Sequence, residues 1–144
     1  MLRNWKFIAV IVVCTVGSFA LTPVIWPFAT AGGPPSSLAP LFVVLGIFES
    51  LAFGVGVAFL IWGWPLLQRV GQPYWLTLLA YVSIGWYLVN WWPHDNLHRV
   101  IGVSYGQLAA VEYGFHVTMQ IAGGILALFF VRVATSAKRA QPAA

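Results

Sequence analysis

Charged residues are scarce: they make up 7% of the 144 residues, seven Lys or Arg and three Asp or Glu. Soluble domains carry roughly 25%, so the composition argues against a water-soluble fold. Cysteine is nearly absent as well. The single Cys14 cannot form an intramolecular disulfide, and there is no CxxC spacing, which leaves neither a disulfide scaffold nor a zinc ribbon. No nucleotide-binding loop, hydrolase elbow or HExxH pair occurs, so no motif decides whether the chain is an enzyme. The basic excess, a formal net charge of +4, lies at the ends of apolar runs. There it reads as a topology signal rather than as a nucleic-acid surface.

What the chain has in abundance is apolar length: 60% of its residues are hydrophobic, and its mean hydropathy is +0.86. A membrane-crossing helix needs about 20 mostly apolar residues. Four stretches meet that length: 6–26, 38–62, 74–92 and 106–131. The segment PFATAGGPPSSLAP between the first two reads as an extended loop, GWPLLQRVGQP as a short one, and PHDNLHRVIGVSY as the most polar connection. The expected fold is an all-α integral membrane protein. One domain, 1–144, would hold a compact antiparallel four-helix bundle ending in a short basic tail, 132–144.

Orientation follows from the basic residues. Arg3, Lys6, Arg69, Arg132, Lys138 and Arg139 fall on one side of a four-helix layout and Arg99 on the other, which predicts cytoplasmic termini and an outer loop carrying His94 and His98. Trp5, Trp26, Trp62, Trp64, Trp75, Trp91 and Trp92 lie near the expected interfaces, and Trp86 falls inside. A rival reading takes the first helix and Ala29-Thr30-Ala31 as a signal peptide with its cleavage site. On helix two, Gly46, Ser50, Gly54 and Ala58 form a small-residue stripe suited to close helix contact. Helix one carries Cys14, Ser18 and Thr22 on one face.

Against this apolar background three ionisable groups stand out: Glu49, Glu112 and His116. A charged group near the bilayer centre costs on the order of 2.5–3.5 kcal/mol on insertion scales, which makes an intramembrane Glu a candidate functional residue. At 1.5 Å per residue, Glu49 sits roughly 13 Å and His116 roughly 15 Å below the outer helix ends, so the two are expected to meet. His94 and His98 are expected about 10 Å or more shallower, as entry or second-site ligands on a short interfacial helix.

Carboxylate and imidazole together suit iron, zinc, manganese or copper. The candidate metal ligands are therefore Glu49, Glu112, His116, His94 and His98. Haem fits less well, because only His116 is placed deep enough to be an axial ligand. Two other readings use the same residues. One is an accessory or assembly subunit that pairs with a membrane partner or with a second copy. The other is a proton or small-solute conduit through Glu112, His116 and Gln120.

Overall fold

The computed structural model describes residues 5–27, 36–102 and 104–140, all of them helix or short connection. Arg3 and the Ala29-Thr30-Ala31 cleavage pattern lie outside the described residues. The helices are α1 (Trp5–Ile25), α2 (Ala39–Trp62), the short α3 (Trp64–Gln68), α4 (Tyr74–Val89), α5 (Trp91–Ile101), α6 (Tyr105–Val111) and α7 (Thr118–Ala140). A π-helical segment, Glu112–Val117, joins α6 to α7. Three helical stretches are long and apolar enough to cross a membrane: Trp5–Ile25, Ser36–Trp62 and Tyr105–Ser136, of 21, 27 and 32 residues. Their large apolar side chains, Val13, Val24, Phe48 and Phe130 among them, point outward, as lipid-facing residues do.

The third apolar run differs from its expected form. The helix stops at Val89 instead of Trp92, and a second helix starts at Trp91. Pro93 is the cause. It has no N–H for the Val89 carbonyl, four residues back, and its ring crowds that carbonyl, whereas the first turn of a new helix tolerates proline. The backbone stays bonded across the break through Asn90 N–H to Trp86 O and His94 N–H to Asn90 O. The polar stretch after Pro93 is mostly helix, α5, which carries His94 and His98. Gly102, at φ 60°, ends it with its N–H on the His98 carbonyl. Beyond Val131, α7 continues to Ala140.

Successive neighbours pack antiparallel. On α1 and α2, Phe7 meets Trp62 edge to face, while Gly46 faces Phe19. A Cβ on Gly54 would lie 2.6 Å from the Ile11 carbonyl, so the small-residue stripe does bring α1 close. Gly56 serves the other flank, where a Cβ would lie 2.7 Å from Val89. Along α2 toward its start, the partners on the α4–α5 side run from Gly85 against Leu60 to Trp92 against Phe53 and Asp95 beside Glu49. α4 packs in turn on α7, with Trp86 Nε1 donating to Thr118 Oγ1 and Tyr87 Oη to the Met119 carbonyl.

The main packing runs from α1 to α2, from α2 to the α4–α5 pair, and from α4 to α7, and Trp92 of α5 also reaches α1 at Thr22 and Trp26. Among the described residues α1 and α7 have no substantial packing on each other. One end of the packed helices is apolar, with Leu67, Leu76, Ala80 and Phe129 packed together. The histidines, with Glu49, Asp95 and Glu112, gather away from that end.

Candidate metal centre

α5 and the α6–π stretch form a helical hairpin about Gly102, and its two arms bring their histidines together. His94 and His98 are one turn apart on α5, and His116 comes from the π segment. One nitrogen from each of the three lies within 4.8 Å of the other two. The ring centroids are 4.6 Å apart for His94 and His98, and 4.7 Å apart for His94 and His116. The expected difference in depth between these residues is absent, because the hairpin folds α5 alongside the segment that carries His116.

Two of the three imidazoles are held by carboxylates. His94 Nδ1 lies 2.8 Å from Asp95 Oδ1, and His116 Nδ1 pairs with Glu112 Oε2. An ionised carboxylate only accepts, so each pairing puts the proton on Nδ1 and leaves the Nε2 lone pair available. His94 Nε2 is 3.0 Å from His98 Nε2, which makes His98 the donor in that contact. Glu112 Oε1 is 3.7 Å from His98 Nε2, so Glu112 borders both arms. The His94 side chain is 8% exposed, against 30% for His98 and 39% for His116. The cluster thus has a buried base and an open side.

The π segment explains how Glu112 and His116 reach α5. Such segments are rare and recur at functional sites, because the wider turn shifts the register of the side chains. Gly114 lies within it, with open space around its α-carbon. Beneath the cluster Phe115 packs on Trp86, centroids 5.8 Å apart, and on His94, 5.2 Å apart.

Glu49 is placed apart from the three imidazoles. Its carboxyl lies within hydrogen-bonding reach of Asp95, with the Arg99 guanidinium nearby. Its link to the cluster runs through Asp95. A hydrogen bond between two carboxyls needs one proton between them. Arg99 Nη1 also donates to Asn96 Oδ1 at 3.0 Å. Gln120 lies on an exposed face of α7, away from the relay expected for it. Ser18 and Thr22 bond carbonyls of their own helix, and Thr22 Oγ1 also accepts from Trp92 Nε1 at 2.9 Å.

Asp95 is the site residue that sequence reasoning missed as a partner. Its position next to His94 was visible, but adjacent helical residues do not normally face each other, so spacing gave no signal. The contact between the imidazoles also bears on haem. With His94 and His98 nitrogens 3.0 Å apart, no slot for a macrocycle separates them.

No protein-family model matches this chain, and neither a curated protein nor a solved structure matches it.

Proposed function

We propose that the chain is an integral membrane metal-binding protein whose ion is held by His94, His98 and His116, with Glu112 as the adjacent carboxylate. The observation that carries this reading is the convergence of three imidazoles from two helical arms, two of them bound at Nδ1 by a carboxylate. Carboxylate–histidine–metal triads use that arrangement to fix the tautomer and raise ligand basicity. At a Zn–N distance of 2.0–2.1 Å, ligand nitrogens in a tetrahedron stand about 3.3 Å apart. The 3.0 Å between His94 and His98 nitrogens needs only a small opening to reach that value. An imidazole set suits zinc, copper, iron or nickel more than magnesium or calcium. Three protein ligands with an open side are the pattern of sites that bind a further molecule at the metal.

In this reading α1, α2, the α4–α5 pair and the α6–α7 stretch each cross the bilayer, with both termini cytoplasmic. The distribution of Lys and Arg supports that orientation. The test is metal analysis of the detergent-purified protein after dialysis. Near-stoichiometric transition metal is expected, falling at least tenfold in His94→Ala and in His116→Ala. Metal-free protein after add-back of each candidate ion would defeat the proposal. The linked Glu49, Asp95, His94, His98, Glu112 and His116 would then be better read as a proton path.

A further inference from the structure

A cleft of about 430 Å³ opens between α1 and α2 at their adjoining ends. Phe19, Pro23, Phe42 and Val43 form apolar walls, and Glu49 and Arg99 form a polar floor. Ligand pockets span roughly 300–1,000 Å³ and typically pair an apolar lining with a few placed polar groups. A second hollow, about 310 Å³, shares Phe42, Glu49 and Arg99 with the first and adds Asp95 and His98. The polar end of the cleft therefore leads to the His98 edge of the histidine cluster. None of the cleft's walls has a part in holding the metal.

We propose that this cleft binds a neutral amphiphile, an apolar chain or substituted ring carrying one protic head, with the head on Glu49 and Arg99. The floor selects the head. Arg99 donates, and Glu49, whose shared proton is held in the bond to Asp95, accepts through its remaining oxygen lone pairs. A hydroxyl or quinol head answers both. An anionic head meets two carboxyls, and a cationic head meets the guanidinium. The walls select the rest, since an apolar body gains from leaving water or headgroups for this lining. The site does not depend on the metal reading.

Gly46 provides the means to test it. It lines the cleft, and a Cβ added there would meet only the Phe19 ring, at an ordinary 3.7 Å. Gly46→Leu should thus place its Cβ without a clash and occupy cleft volume with the rest of its side chain. Val43, exposed on the same wall, gives a second plug, Val43→Phe, should the first variant not fold. The protein in nanodiscs is photolabelled with a diazirine analogue of decan-1-ol, in competition with decan-1-ol, a decyl benzoquinol, decanoate or decyltrimethylammonium. Metal content is measured on the same samples.

Saturable labelling is expected within 19–23 and 39–49. The neutral competitors should displace it at least tenfold better than the charged ones, and either plug should reduce it at least tenfold with metal content unchanged. The stronger of the two neutral competitors identifies the source, a fatty alcohol or a quinol. Non-saturable labelling spread over the lipid face, preference for a charged competitor, or labelling indifferent to a folded plug variant would each overturn the proposal. Because metal is read separately, an empty cleft and an empty metal site are distinguishable results.

Discussion

Asp95 accepts from His94 Nδ1 at 2.8 Å and so decides which nitrogen of that ring faces the cluster. In the proposed site, the lone pair that His94 offers depends on this contact. Without Asp95, His94 can take the other tautomer and present an N–H where a lone pair is needed. Asp95→Ala is therefore expected to weaken metal affinity about 10- to 100-fold, the range for loss of an outer-shell partner. Asp95→Asn should recover part of it, because its amide oxygen can still accept from Nδ1. Competition titration with a chelator of known affinity reads both values. Equal losses in the two variants would assign Asp95 a packing role instead. His98 has no adjacent carboxylate of its own, and Glu112 at 3.7 Å is its nearest acidic neighbour. His98 is thus the least constrained of the three imidazoles.

At the scale of elements, the site depends on a break and a bulge. Pro93 ends α4 and starts α5, and the π segment turns Glu112 and His116 toward α5. Removing Gly114, which has open space around it, shortens the path from Glu112 to His116 by one residue and favours regular α-helix. The register of α6 against α7 then rotates by about 100°, and His116 can no longer face α5 while α6 stays docked. Deleting Gly114 should abolish stoichiometric metal binding while leaving helix content by circular dichroism within about one turn, 3.6 residues, of the parent. Retained metal would show that the bulge does not set the site.

The same two features mark the limit of what the sequence disclosed. Apolar length located three helices long enough to cross a membrane, and the Gly46–Ala58 stripe was readable as a contact face because small residues recur at one helical period. The intramembrane Glu112 and His116 were legible for the same reason, as ionisable groups one turn apart. The join between His94 and His116 was not. A proline after two tryptophans signals the end of a helix equally well as the first turn of another, and polarity after it favours a loop reading. A π segment leaves no trace in a periodicity that assumes 3.6 residues per turn. Glu49 was aimed at His116 on depth alone, and depth carries no information about which way a helix face points.

For the whole molecule, the question is how α4 and α5 relate to the membrane. α4 has 16 residues, about 24 Å at 1.5 Å per residue, short of the roughly 30 Å hydrocarbon thickness. α5 adds 11 residues and continues along α2, as Phe53 against Trp92 and Glu49 beside Asp95 show. With 16 and 11 residues, the pair is slightly longer than α2 with its 24. In the proposed layout a polar helix completes this crossing, and His94 lies level with the middle of α2. Ionisable groups at that level are costly unless paired or bound to a metal, and here each histidine has a polar partner within the cluster.

This layout has a direct consequence for labelling from the two sides. In a Cys14→Ser background, Val70→Cys, before α4, and Ser104→Cys, after α5, occupy opposite ends of the α4–α5 pair. Both positions are exposed. A membrane-impermeant maleimide added to intact cells should label Ser104→Cys and leave Val70→Cys unmodified until the membrane is opened, consistent with Lys and Arg favouring the inner face. If both cysteines label from outside, α4 and α5 re-enter rather than cross. The histidine cluster would then stand on the same side as the α3–α4 turn, and an ion would reach it from there.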